Sequence, residues 1–257
     1  MILNENRLLR YSRNIILPEI GGEGQEKLLN SKVLAVGAGG LGSPLIMYLA
    51  AAGIGHITIM DHDSVDISNL QRQIIHNMDA LGKSKVKSAE AFVSRLNPDT
   101  KINAINKKID ISNVNMMVRE HDIIVDGSDN FETRYLIADT CFIEKKTLVS
   151  AAITRYEGQI STWKNSSSLV LPCFRCLFPK APTNPDAYTC SNNGVIGSLG
   201  GFLGSLQATE VIKEILGIGI SLAGYLNIYD LLNNNFRKIK VNVDPDCDFC
   251  KRKRDDK

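Results

Sequence analysis

Apolar and polar residues follow two rhythms along this chain. From Val33 to Ala151, short continuous apolar runs alternate with stretches whose apolar residues recur about every three to four positions. The runs read as buried strands and the stretches as helices packed on them. Strands are predicted at 33–36, 57–61, 101–106, 122–125 and 147–151, and helices at 41–53, 83–96, 112–119 and 130–144. In the helix over 83–96, Val86, Ala89, Val93 and Leu96 share one face, and Asn97-Pro98 stops it. This alternation implies a doubly wound, mostly parallel sheet with helices on both faces. From Ile160 the rhythm changes. Ile160-Ser-Thr-Trp-Lys164 alternates with a period of two, as half-exposed antiparallel strands do. A long helix over 195–216 and a hairpin of 224–230 with 235–241 follow. Short helices at 4–11 and 22–30, joined by a turn-rich connector, precede the first strand. Residues 179–193, rich in Pro, Asn and Asp, read as a mobile loop. No repeat or low-complexity linker divides the chain, so one domain with an embellished C-terminal third is expected.

Within the first rhythm, Val33 to Arg72 carries a chemical signal. Val33 to Val36 runs into Gly37, Gly39 and Gly42 in GxGxxG spacing; a helix pattern and a second strand follow, ending at Asp61. The first glycine permits a tight turn, the second lets a phosphate approach the backbone, and the third lets helix pack on strand. The helix N-terminus then offers free N–H groups and a positive dipole end to a phosphate. An acid after the second strand suits a ribose hydroxyl. The fold class is therefore Rossmann-like α/β, its parallel sheet continued by antiparallel strands, with a nucleotide site whose ligand the glycines do not specify.

Composition narrows the setting. At 257 residues, with 44% apolar and 23% charged residues and a net charge of +2, the chain suits a soluble globular protein with a sizeable core. The charge balance gives no support to nucleic-acid binding. The longest apolar stretch, Leu45 to Ile54, is too short for a membrane span, which needs about 20 residues. The N-terminus has no continuous apolar core of a signal peptide. A cytoplasmic protein with no membrane or nucleic-acid partner is expected, its six cysteines reduced and open to metal or catalysis.

Four of those cysteines form two CxxC pairs, Cys173-Phe-Arg-Cys176 and Cys247-Asp-Phe-Cys250. Four thiolates suit a closed, tetrahedral structural zinc site, which leaves no open position for catalysis. Such a site staples the C-terminal tail to the middle of the chain. Losing the metal should loosen residues near 173 and 247 before it affects the nucleotide site. Cys141 falls on an apolar helix face and reads as core. Cys190, in the polar loop, is a candidate nucleophile or a dispensable thiol.

Charged residues refine the ligand. Lys83, Lys85 and Lys87 crowd a helix N-terminus, where cations oppose the dipole. Lys83 and Lys87 read as a solvated face. Lys85, beside the apolar face, is the one placed to turn toward the sheet and a phosphate. Asp129 sits past the C-terminal end of the fourth strand, the edge where open α/β sheets bind ligands. It suits magnesium beside phosphates, although an aspartate before a helix is also a good N-cap, and Asp126 competes for the role. Arg72 and Arg13 are further cations that suit phosphate or simply the surface. His62, between Asp61 and Asp63, could line the site, whereas His56, His76 and His121 show no ligand spacing.

Taken together, these residues resemble the MoeB/ThiF family, the ubiquitin-activating-like adenylyltransferases of sulfur-carrier proteins. The resemblance rests on Arg10-Tyr-Ser-Arg13-Asn, Gly37-Ala-Gly-Gly-Leu-Gly42, Asp61-His-Asp63, Ser68-Asn-Leu-Gln-Arg72-Gln, Gly82-Lys-Ser-Lys85, Asp126-Gly-Ser-Asp129-Asn and the paired CxxC. It spans nearly the whole chain. It implies an adenylyltransferase of three parts: N-terminal helices (1–31), a nucleotide-binding half (32–155) and a carrier-binding and zinc half (156–257). It also implies that Gly37, Gly39, Gly40 and Gly42 hold ATP, with Asp61 on the ribose and Asp63 beside it. Asn69, Arg72 and Lys85 would surround the phosphates, and Asp129 would hold magnesium. Arg13 matches an arginine that reaches a partner's ATP across a homodimer interface. Cys190 aligns with a loop cysteine used for sulfur transfer in some members and dispensable in others.

The implied substrate is the C-terminal Gly-Gly carboxylate of a small ubiquitin-fold sulfur carrier, MoaD-like or ThiS-like, serving molybdopterin or thiamine synthesis. In-line attack on the α-phosphate of ATP gives an acyl-adenylate and pyrophosphate. A persulfide donor of the cysteine desulfurase or rhodanese type then displaces AMP. The sequence stops at the zinc motif, without the rhodanese domain fused to some relatives, so sulfur is expected to come from a separate donor or through Cys190. No large catalytic-cysteine domain or ubiquitin-fold domain is evident, which argues against delivery to a conjugating enzyme. Three rival readings are a nicotinamide-dependent oxidoreductase, a non-catalytic nucleotide-binding scaffold for a ubiquitin-fold partner, and an enzyme acting on a modified tRNA base. The set Arg72, Lys85 and Asp129 argues against the first.

Overall fold

A computed structural model describes residues 2–165, 170–182 and 193–251. Eight strands form one sheet in the order β3-β2-β1-β4-β5-β6-β7-β8. They are β1 (Lys32–Val36), β2 (His56–Met60), β3 (Lys101–Ile105), β4 (Ile123–Asp126), β5 (Thr147–Thr154), β6 (Glu157–Trp163), β7 (Tyr225–Asp230) and β8 (Asn235–Lys240). The first five pair in parallel and the last three are added antiparallel. Both rhythms thus lie in one continuous sheet. The chain passes outward from β1 through β2 to β3, then returns to place β4 on the other side of β1. That reversal opens a crevice at the carboxyl ends of β1 and β4, where open α/β sheets bind ligands.

Side chains of β1 divide between two cores. Val33 and Ala35 face one layer, and Leu34 and Val36 the other. The first layer is built with α3 (Gly21–Asn30), α4 (Gly42–Ala52), α5 (Lys85–Leu96) and the long α9 (Gly197–Leu216). The second uses α6 (Val114–Arg119) and α7 (Phe131–Ile143), with Trp163 and Phe174. Local chemistry sets the ends. Gly53 (φ 88°) ends α4 in the left-handed region, and Asn130 caps α7 by accepting from the Thr133 N–H.

The structure corrects several boundaries. The helix at 4–11 is followed by a second short one, giving α1 (Glu5–Arg10) and α2 (Ser12–Ile15). Between them Tyr11 is buried and accepts a hydrogen bond from Asn97 at 2.8 Å. Helix α5 begins at Lys85, because Ser84 is taken up in a bridge with Ser64. Strand β5 runs to Thr154 because β6 pairs along its whole length. A short helix, α8 (Phe174–Leu177), follows Cys173 and was not legible in the pattern. Most of the predicted loop over 179–193, Cys190 included, lies outside the described residues. No helix among the described residues is long and apolar enough to cross a membrane.

Candidate active site

Strand β1 ends in Val36, and Gly37 (φ 95°) turns the chain out of the sheet. Its neighbour across the crevice is Gly127, whose carbonyl oxygen would lie 3.0 Å from any Cβ at residue 37. Gly42 opens α4 so close to this turn that a Cβ there would sit 2.0 Å from the Gly37 oxygen. The spacing therefore serves close packing at Gly42 and conformation at Gly37.

A buttress on the far side was missed by sequence reasoning. Helix α9 presents Gly200 and Gly204 to the turn and Gly197 to the loop beside it; a Cβ at Gly197 would lie 2.2 Å from the Gln71 oxygen, at Gly200 2.7 Å from the Gly40 oxygen and at Gly204 2.3 Å from the Leu41 oxygen. Glycine in a helix interior costs about 1 kcal/mol relative to alanine. Three at offsets of three and four on one face were the available signal.

The crevice is a cavity of about 370 Å³. Gly37, Gly39, Gly40, Asp61, Asp63, Arg72, Lys85 and Asp129 all line it, so most of the residues singled out above meet in one place. Lys85 is buried, and its Nζ donates to Asp63 at 2.8 Å. Burial pushes the Asp63 carboxyl up, but the bond from Lys85 and its charge outweigh this and hold it below the usual carboxylate value. Lys87 pairs with Glu90 on the surface and Lys83 is exposed, as a solvated face requires. Arg72 packs its stem over Gly40 and donates to the Ser68 carbonyl. Asp129 is exposed to the cavity and is not the helix cap, a role taken by Asn130. Asp126 is fully buried and accepts from Ser128 and Ser150, which commits it to the loop.

Other residues stand differently. The Asp61 carboxylate accepts from the Ala38 N–H at 2.8 Å and the Asp63 N–H at 2.9 Å, so it also ties the glycine turn to β2. Asn69 does not line the cavity; its side chain accepts from the Asp66 N–H in a capping box. Arg13 is exposed on α2, away from the cavity. His62 lines the cavity, whereas His76 is buried behind the turn. The His76 Nε2–H donates to the Ala38 carbonyl at 3.0 Å, and Nδ1 accepts from Ser88. Burial pushes its imidazole below the usual value.

The cavity continues beyond the glycine turn. Ala152, Ile153, Gln159, Ile228 and Arg237 line an extension over β5 to β8. Sequence spacing gave no hint of this wall, because only the antiparallel register brings Gln159 beside Ile228. The arrangement can hold a polyanion at the glycine turn and a mixed polar and apolar chain beyond it.

The four cysteines come together beside Phe142 near the C-terminal end of α7. Sγ separations are 3.7 Å for Cys173–Cys176 and Cys173–Cys247, and 3.6 Å for Cys176–Cys250, with all four within 4.8 Å. Tetrahedral zinc with sulfur at about 2.3 Å demands S···S edges of about 3.8 Å, so the set fits a closed thiolate site. Burial pushes the Cys250 thiol up to about 12 and the Cys173 thiol higher still, a cost that a bound cation offsets. Cys141 is buried apart from them.

A model of the ThiF family matches residues 11–249. The chain is 46% identical over 248 residues to a SAMP-activating enzyme E1 of Haloferax volcanii, covering 96% of this chain and 90% of that one. It is 41% identical over 248 residues to a sulfur carrier protein adenylyltransferase of Thermus thermophilus, covering 96% and 92%. Against an adenylyltransferase and sulfurtransferase MOCS3 of Culex quinquefasciatus it is 43% identical over 249 residues, covering 96% of this chain and only 56% of the relative. Among solved structures, E. coli MccB with succinimide superposes with a TM-score of 0.80 at 25% identity, covering 96% of this chain and 74% of that one.

Proposed function

The chain belongs to the ThiF family, and from that premise we propose that it uses ATP to adenylate the C-terminal carboxylate of a small ubiquitin-fold sulfur carrier. The observation that carries this reading is the company kept in one cavity. The glycine turn, Arg72, Lys85 and Asp129 line the phosphate end, and an extension over β5 to β8 leads away from it. A triphosphate needs the first group and an extended Gly-Gly tail needs the second.

A carboxylate is a poor acyl donor because its leaving group would be oxide. Attack of its oxygen on the α-phosphate of ATP forms the C(O)–O–P bond, breaks the bond to the β-phosphate and releases pyrophosphate. The protein's part is positioning and charge neutralisation. The backbone of Gly37–Gly40 and the N-terminus of α4 receive phosphate oxygens. Arg72 and Lys85 offset the charge that builds on the leaving pyrophosphate. Asp61 and Asp63 stand at the ribose side, with Asn69 reaching the phosphates only after leaving its capping box. Asp129 would hold magnesium, which when bound screens the phosphates. The four cysteines would hold zinc as a structural ion. Arg13 does not line its own cavity and would act on the ATP of a partner subunit in a homodimer.

The outer sulfur of a persulfide from a separate donor then displaces AMP to give an acyl disulfide, and a second thiol attacks the donor's sulfur, forming a disulfide with it and releasing the thiocarboxylate. A molybdopterin-type or thiamine-type carrier fits this chemistry equally. Reduced cysteines suit a cytoplasmic setting. The test is ATP–pyrophosphate exchange driven by Gly-Gly-ending small proteins of the same cell. Exchange should require the free carboxylate and vanish when the tail is amidated. Tight ATP binding without exchange for any such carrier would leave a scaffold, and NADH binding in preference to ATP would leave an oxidoreductase.

A further inference from the structure

Helix α7 joins the two sites. At its C-terminal half it carries the four-cysteine unit on one face. Asp139 accepts a forked pair of bonds from Arg175, at 2.9 Å from Nε and 2.8 Å from Nη2. Arg175 lies between Cys173 and Cys176 in sequence, and its guanidinium stacks over Tyr135 at 4.7 Å and Phe249 at 5.6 Å. The Tyr135 hydroxyl donates to the Phe178 carbonyl at 2.9 Å, and its ring meets Phe174 edge-on. Phe142 packs directly on Cys173, Cys247 and Cys250.

The N-terminal half of the same helix is fastened to the cavity at the glycine turn. Asn130 caps it, one residue after Asp129. Arg134 donates from Nη2 to the carbonyl of Ser128, so the loop bearing Asp129 is held from inside the helix. Both Arg134 and Phe131 line the cavity and also a small void shared with Trp163, Phe174 and Phe178. From Asn130 to Asp139 the helix spans about 14 Å, with no glycine or proline to bend it.

We propose that α7 transmits the state of the four-cysteine site to the Asp129 loop, with the Arg175–Asp139 pair as the positioning contact. This rests on the adenylation reading for its consequence, though not for its mechanics. Arg175 does not line the cavity. It fixes the angle of α7, and α7 fixes Ser128 and Asp129 through Arg134. Loss of the metal should therefore reach the cavity by one defined route, in addition to loosening residues near 173 and 247.

The test uses the full zinc-loaded chain and its R175M and D139N variants. Zinc per chain is measured first and should equal that of the parent. Hydrogen exchange of the amides over 127–134 should quicken about 10-fold in either variant, and the double variant should do no more than each single one. In pyrophosphate exchange, the magnesium concentration for half-maximal rate should rise by a similar factor while AMP affinity stays unchanged. A purely structural role would lower AMP and magnesium–ATP binding together with thermal stability. Unchanged amide exchange over 127–134 in a zinc-replete variant overturns the proposal. Because amide exchange is read without substrate, a parent that fails to catalyse pyrophosphate exchange would sink the adenylation reading and leave this result standing.

Discussion

The cavity at the glycine turn and the four-cysteine site both gather charged or chargeable groups, but they use them in opposite ways. In the cavity Asp129 stays exposed, Arg72 leans over the glycine turn and Lys85 pairs with half-exposed Asp63. At the cysteines all four sulfurs face one another, walled by Phe142 and Phe249. A site that must bind, react and release keeps groups partly unsatisfied until substrate arrives. A site that only holds the chain together satisfies everything at once. Substitutions should separate accordingly, with activity lost first at the cavity and stability lost first at the cysteines, from which only the α7 route reaches the cavity.

The largest effect expected is at Asp129. Asp129→Asn should lower pyrophosphate exchange by about 100-fold or more, with little change in melting temperature, since the side chain is exposed and caps nothing. A comparable fall in stability would break the contrast. At the other site, Cys247→Ser should abolish metal binding and lower the melting temperature by many degrees, with residual exchange in the folded fraction. Metal analysis by mass spectrometry together with calorimetry decides it, and zinc well below one per chain in the parent would remove the site altogether.

A smaller effect is expected where the two demands meet. Gly204→Ala would place its methyl group 2.3 Å from the Leu41 oxygen, a backbone atom that cannot swing aside. Overpacking of this kind costs about 1–3 kcal/mol and should weaken ATP affinity along with stability, because the displaced segment is the glycine turn. Gly201→Ala, which meets nothing within 4 Å, is the control.

The smallest expected effect is one of pH. Burial lowers the His76 pKa, so folding favours the neutral ring. Its contribution is fully present above the ordinary value of 6.5 and is lost as pH falls through the lower folded-state value. His121 is lowered by burial in the same direction, so melting temperature should decline on acidification from both. His76→Gln should remove only the part that also weakens ATP binding, because His76 alone of the two bonds the glycine turn at Ala38. Titrating ATP affinity against pH in both proteins would show it.

What the sequence revealed follows the same divide. Local patterns were readable: the glycine turn, the amphipathic face of α5 and the paired CxxC each state their chemistry within a few residues. Lys85 was separable from Lys83 and Lys87 because its neighbour Val86 begins the buried face. Long-range geometry was not readable. Nothing near Asn69 announces that its side chain closes a capping box with Asp66, and nothing near Gly200 announces that its partner is Gly40. The wall carrying Gln159, Ile228 and Arg237 depends on strand register across β6 to β8. Tyr11 was hidden in an apparent single helix because its burial depends on Asn97.

The glycine face of α9 carries a consequence for synthesis on the ribosome. The turn at Gly37–Leu41 emerges early, but its buttress at Gly200 and Gly204 emerges near the end. Until then the turn lacks the helix face against which the Gly40 and Leu41 carbonyls pack. Nucleotide binding is thus expected to be acquired late in translation. Ribosome-bound chains halted before Gly197 should fail to retain ATP, and those released past Leu216 should hold it. Aborted or nicked chains would then draw no nucleotide from the cell, because the fold withholds its ligand until the last long helix has docked.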